Sequence, residues 1–175
     1  ILRHFEEISK ITDLPIMAYN IPGRTSTLIE LETLQTLVDD IGIHSIKDAV
    51  GDFEFSKKQL ELLKDKAAIY SGNDNQTFDF IINGGIGVVS VASHVVGDEI
   101  SAMISFAKNK DFAKAEKINN QLSNFFEAIF EEPSPGPIKK ILSESWEEVG
   151  EPLLPITTIS DAVSYTHLTL PTIRL

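Results

Sequence analysis

Cysteine is absent from the 175 residues. That excludes disulfides, thiolate catalysis and cysteine-ligated metals, and it fits a reducing, cytoplasmic location. Positive charge is scarce: 15 Lys and Arg stand against 26 Asp and Glu, a net charge of -11. An acidic chain of this kind is a poor match for nucleic acid or an anionic membrane, which recruit basic faces. No apolar run of about 18 residues occurs, so no segment reads as a membrane span. The amino end, "ILRHFEEISK", has no signal-peptide pattern. Its apolar residues Ile1 or Leu2, Phe5 and Ile8 recur at helical spacing, so the chain is expected to begin inside a helix, as a piece whose first part lies upstream.

What is present is a chain of ordinary globular composition, 42% hydrophobic and 23% charged, long enough to build a core. Short apolar runs alternate with helical periods. Strands are expected at 14–22, 44–50, 67–72 and 87–93, and helices at 29–40, 54–64, 73–84 and 98–109, the last capped by Asp98. Such alternation calls for parallel strands with helical crossovers, in a doubly wound sheet or a barrel. After residue 110 the strands stop. Phe112, Ala115, Ile118, Leu122, Phe125 and Ile129 mark one long helix capped by Asp111, and a last helix is expected over 138–150. Residues 163–175, "VSYTHLTLPTIRL", show no helical period and read as a non-native tail.

The stretch "SIKDAVGD", 45–52, places Lys47 inside a strand. Burying an unpaired ammonium is costly or displaces its pKa. Either Lys47 faces water, or the chemistry uses that displacement. In parallel α/β architectures sites form at the carboxyl ends of strands. There the sequence puts Tyr19, Asn20 and Arg24, then Lys47 and Asp48, then Ser71 to Asp74, then Ser90 and Ser93, all expected on one rim. A desolvated lysine that is neutral part of the time attacks keto groups to form a Schiff base. A phenol such as Tyr19 suits proton transfer beside it, and a guanidinium such as Arg24 suits a carboxylate. Taken singly, Lys47 reads equally well as a solvent-facing strand lysine, while Tyr19 reads better as a core-edge tyrosine and Arg24 better as a surface residue. Their combination favours a site. "GGIGVVS", 84–90, is a helix-to-strand turn and not a phosphate loop, because no helix start follows its glycines.

With these residues in view, the chain resembles the dihydrodipicolinate synthase family of pyruvate-dependent class I aldolases. The matching pieces are "TDLPIMAYNIPGRT" (12–25), "SIKDAVGD" (45–52), "YSGND" (70–74), "GGIGVVSV" (84–91) and "EPSPGPIKKIL" (132–142). The resemblance implies the second half of a TIM (β/α)8 barrel, strands five to eight, over 1–109, followed by a helical C-terminal domain over 110–162. It implies that Lys47 forms the Schiff base with pyruvate and that Tyr19 relays protons. Arg24 would bind the carboxylate of aspartate semialdehyde, with Val89 and Gly72 lining the pyruvate site. No cofactor is implied, because the protonated imine is itself the electron sink. The expected partners are the two small-molecule substrates and further copies of the chain, as a tetramer when full length. A related lyase acting on sugar keto acids, such as N-acetylneuraminate, and a non-catalytic assembly module are the alternatives. Half a barrel would leave two open sheet edges, so the piece alone is expected to be poorly stable.

Overall fold

The computed structural model describes residues 1–157 and 159. The chain divides into two compact units between Val89 and Ser90. The first holds every strand among the described residues: β1 (Met17–Asn20), β2 (Ser45–Asp48), β3 (Ala68–Ser71) and β4 (Gly87–Val88) form one parallel sheet in the order β1-β2-β3-β4. Between them run α1 (Leu2–Ser9) ahead of the sheet, the one-turn α2 (Pro22–Thr25), α3 (Leu31–Asp39), α4 (Phe53–Leu62) and α5 (Thr77–Ile82). A 3-10 turn, Asp74–Gln76, starts what the sequence reads as a single helix over 73–84.

Strand side chains alternate between the two faces of a sheet. Ala18, Ile46 and Ile69 turn one way and are packed with Leu34 and Leu37 of α3, Leu60 of α4 and Phe80 of α5. Leu34, Leu37 and Ile46 are wholly buried. Each such side chain contributes about 1.5–3 kcal/mol on leaving water. The α4 helix starts where the Asp52 carboxylate accepts the backbone N–H groups of Glu54 and Phe55, at 3.0 and 3.4 Å. It is followed by a tie between Lys66 and Asp39 at 2.8 Å, which links the start of β3 to the end of α3.

The 84–90 stretch is the expected helix-to-strand turn. Gly84 has φ +103°, and the Gly85 N–H donates to the Phe80 carbonyl at 2.8 Å. A Cβ on Gly85 would stand 2.5 Å from the Phe80 ring, so only glycine lets the chain close so tightly over α5. β4 is far shorter than the run 87–93 suggests. The ladder ends after the Val89 N–H donates to the Ser71 carbonyl at 2.9 Å. The Ser90 hydroxyl then accepts the Ser93 N–H at 2.8 Å, and this local turn takes the backbone out of the strand.

The second unit is helical where described. It contains α6 (Ser93–Lys108), α7 (Phe112–Ala128) and α8 (Gly136–Ser145). α6 belongs with these helices and not with the strands, so the compact units part at 89/90 where the sequence suggests 109/110. Its Val96, Ile100, Met103 and Ala107 are buried, as are Ala115, Ile118, Leu122 and Phe125 of α7 and Ile138 and Ile141 of α8. Asp98 does not cap it: α6 starts at Ser93 and breaks at Val96, where φ is -118° and ψ 38°. Asp111 does cap α7, accepting the Lys114 N–H at 3.4 Å. α8 stops at Ser145, short of 150, so Glu147 and Glu148 lie exposed beyond the helix. The run 163–175 lies outside the described residues.

Candidate active site

The strand register aligns Tyr19 with Lys47 and Lys47 with Tyr70. These three are on the face opposite the core, in one row across β1, β2 and β3. The Lys47 ammonium stands 4.1 Å from the centroid of the Tyr19 ring. That is a cation–π contact, worth about 0.5–1 kcal/mol at an exposed site. Lys47 is half-buried and Tyr19 is 43% exposed, so both stay open to a ligand from solvent. The lysine is therefore not sealed in the core. Its neighbours Ile46 and Asp48 are the buried pair, and alternation puts Lys47 outward.

Alternation also corrects the expectation of a single rim. Asn20, Asp48 and Ser71 each follow a member of the row by one residue, and all three are buried. The Asp48 carboxylate accepts the Val50 N–H at 2.9 Å, the Ser56 hydroxyl at 2.8 Å and the Gln59 amide at 3.2 Å. It thereby ties the end of β2 to α4. Burial pushes the Asp48 carboxyl above its usual range, while the three hydrogen bonds pull it back and the nearby Asp52 charge adds to the rise. The Ser71 hydroxyl donates to the Asn73 carbonyl at 2.8 Å and shapes the turn after β3. Asp74 is buried as well. These polar groups hold strand ends in place. Ser90 and Ser93 are engaged with one another.

Gly72 packs against the end of β2, close to the Lys47 stem. Its N–H donates to the Asp48 carbonyl at 2.6 Å. A Cβ there would stand 2.8 Å from the Ala49 Cβ, 3.0 Å from the Asp48 carbonyl and 3.1 Å from the Lys47 Cε. A side chain there would collide first with the Ala49 side chain and the Asp48 carbonyl, and would press more lightly on the lysine stem. Val89, 39% exposed, closes the strand ladder beside Ser71. Arg24 sits on α2, immediately after β1, and is exposed. Two residues that the sequence reasoning did not single out belong here. Tyr70 is in line with Lys47, and its ring lies where a Gly87 side chain would meet it, 3.3 Å from the ideal Cβ. Gln59 reaches Asp48 from α4. A period-two count from Lys47 could have found the first. The second depends on the helix packing.

An amine and a phenol in register near the carboxyl ends of parallel strands, backed by helices, have the placement of a strand-end site of the α/β class. Comparison with known proteins makes this specific. The chain belongs to the dihydrodipicolinate synthetase family, whose model matches residues 1–168. It is 44% identical over 161 residues to the 4-hydroxy-tetrahydrodipicolinate synthase of Thermosynechococcus vestitus, covering 91% of this chain and 54% of that protein. It is 36% identical over 159 residues to the synthase of Bacillus velezensis, with 91% and 55% covered. The fold matches the lysine-bound dihydrodipicolinate synthase of Cyanidioschyzon merolae with TM-score 0.90 at 35% identity, over 95% of this chain and 57% of that one. It matches the pyruvate complex from Acinetobacter baumannii with TM-score 0.88 at 30% identity, over 93% and 56%. The chain thus spans about half the length of the curated relatives it matches. Among the described residues no helix is long and apolar enough to cross a membrane.

Proposed function

We propose that this chain is part of a 4-hydroxy-tetrahydrodipicolinate synthase, a cytoplasmic lyase of lysine and diaminopimelate synthesis that condenses pyruvate with aspartate 4-semialdehyde. The observation that carries the reading is the Lys47 ammonium 4.1 Å from the Tyr19 ring, on the open face near the carboxyl ends of β1 and β2. In this reading the Lys47 amine attacks the keto carbon of pyruvate and water leaves, giving a protonated imine. A methyl proton is then lost and its electron pair flows into the imine, forming an enamine. The enamine carbon adds to the aldehyde carbon, the aldehyde oxygen takes a proton, and the substrate's own amine then attacks the imine carbon and displaces the Lys47 amine, closing the ring and freeing the product. Tyr19 is the residue placed to carry protons to and from these atoms. The backbone at Val89 and Gly72 borders the pyruvate, and Arg24 receives the carboxylate of the aldehyde. The imine supplies the electron sink, so the reaction asks for no cofactor.

On this reading the strands are the fifth to eighth of a (β/α)8 barrel, and the edges of the sheet at β1 and β4 pair with the remaining strands. The complete enzyme is expected to be a tetramer. The names of the relatives and the exposed Arg24 favour the synthase over a sugar-acid lyase. Reductive trapping is the test. Incubation with pyruvate followed by borohydride should add a pyruvate-derived group to Lys47, located by mass spectrometry and absent in Lys47→Ala. A folded, full-length protein that gains no adduct is not an aldolase of this class.

A further inference from the structure

The loop that carries Arg24 has a feature that its part in substrate binding does not require. Residues 22–28 are exposed or half-buried, and only at Ile29, 7% exposed, does the chain re-enter the core. Apolar burial therefore does not define the shape of the loop. Hydrogen bonds do. Asn20, wholly buried, donates from its Nδ2 to the Ile29 carbonyl at 3.0 Å and accepts the Ile29 N–H on its Oδ1 at 3.0 Å. One side chain thus satisfies both backbone groups of the residue that ends the loop, and closes the segment 21–28 into a ring. Inside that ring, Pro22 fixes the first turn of α2, and Ser26 is held at φ 54°, a conformation that a residue with a side chain adopts only under constraint. The Thr25 hydroxyl lies 3.1 Å from the Ile21 carbonyl and 3.0 Å from the Thr27 carbonyl, its one proton shared between them. The Arg24 guanidinium itself has no hydrogen-bond or ion-pair partner among the described residues, so its place is set by the loop alone.

We propose that Asn20 is a positioning residue for Arg24: its two-point clamp on Ile29 fixes the 21–28 loop and so presents the guanidinium at the strand-end site to an anionic substrate group. The inference rests on the reading of Arg24 as a carboxylate-binding residue, and its own content is the clamp. The neighbouring Tyr19 belongs to the chemistry, whereas Asn20, turned to the opposite face, governs the recognition loop. Substitutions at the two positions therefore separate two functions one residue apart.

Limited trypsin digestion reads the clamp directly, because Arg24–Thr25 is a cleavable bond inside the ring. In the enzyme expressed from the complete coding region, Asn20→Ala is expected to speed cleavage at this bond about tenfold or more, with cleavage after Lys57 and Lys58 in α4 unchanged. Asn20→Asp keeps the shape and the acceptor but loses the donor, and serves if the alanine variant does not fold; it should accelerate the same bond. In the enzyme expressed from the complete coding region, Asn20→Ala should raise KM for the aldehyde about tenfold or more, with KM for pyruvate and Lys47 trapping unchanged, and add little further in an Arg24→Ala background. No acceleration at Arg24–Thr25, or equal acceleration at all sites, overturns the proposal whatever the kinetics show. Selective cleavage together with an additive effect on KM in the Arg24→Ala background also overturns it. If Arg24→Ala itself leaves KM unchanged, the carboxylate role of Arg24 fails, while the digestion still decides whether Asn20 holds the loop.

Discussion

The two faces of the sheet carry polar residues of the same kind to different ends. On the open face, Tyr19, Lys47 and Tyr70 form a row reachable by a small molecule. One residue further along each strand, Asn20, Asp48 and Ser71 are buried and spend their hydrogen bonds on the loops and helix behind. The shift is a single step in sequence and a reversal in space. It teaches that a polar residue at a strand end is a candidate for chemistry only on the face that the helices leave free. On the covered face the same residue is the fastening that keeps its neighbour in position.

Breaking the open row should remove function and spare the fold. In the full-length enzyme Lys47→Ala is expected to abolish the pyruvate adduct and to lower kcat by more than about a thousandfold, because the proposed reaction runs through an imine on that amine. Tyr19→Phe keeps the ring under the ammonium and removes only the hydroxyl. It should lower kcat by about a hundredfold or more with the adduct still formed. Both side chains are partly exposed, so the urea midpoint of the full-length enzyme should move little. A large stability loss in either variant would show that the open face is itself structural.

Breaking the covered row should do the reverse. Asp48→Ala strands the Val50 N–H, the Ser56 hydroxyl and the Gln59 amide behind β2, and a stability loss of about 2–4 kcal/mol is expected in urea unfolding. Gly72→Ala falls between the two rows. Its methyl would press on Ala49, the Asp48 carbonyl and the Lys47 Cε at once, so about 1–3 kcal/mol of strain is expected together with slower trapping of pyruvate on Lys47. If trapping is unchanged while stability falls, Gly72 serves the turn and not the lysine.

The parts of this arrangement that could be read from the sequence are those written in local periodicity. The four strands, the longer helices between them, the Asp111 cap and the 84–90 turn follow from apolar spacing, cap residues and glycine placement, whereas the one-turn α2 has no such signal. Lys47 and Tyr19 could be picked out because a charged and a phenolic side chain at strand ends are unusual. The division of labour between faces was harder to see, since period-two alternation says which residues share a face but not which face the helices cover. Asp48 next to Lys47 looks like a second catalytic group until Ser56 and Gln59, eight and eleven residues away, are found around it. The short β4 depends on the Ser90 turn and the early start of α6 on packing against α7, and no local pattern announces either.

The smallest effect sharpens the comparison most. Asp48→Asn keeps shape and removes charge. Its carbonyl oxygen can still accept the Val50 N–H, its amide can face the Ser56 hydroxyl turned to accept, and Gln59 can present its Oε1, which has no partner now. Burial raises the Asp48 carboxyl in the folded chain above its unfolded value. A raised folded pKa means that the folded state binds the proton more readily. The associated stability is fully present below the unfolded carboxyl range and is lost as pH rises through the folded pKa. The stability of the native chain relative to Asp48→Asn should therefore fall as the pH is brought from about 3 to neutrality. Urea midpoints of the two chains measured across that range test it. A difference that grows the other way would mean that the three hydrogen bonds outweigh burial, making the ionised carboxylate a net support for the strand end that carries Lys47.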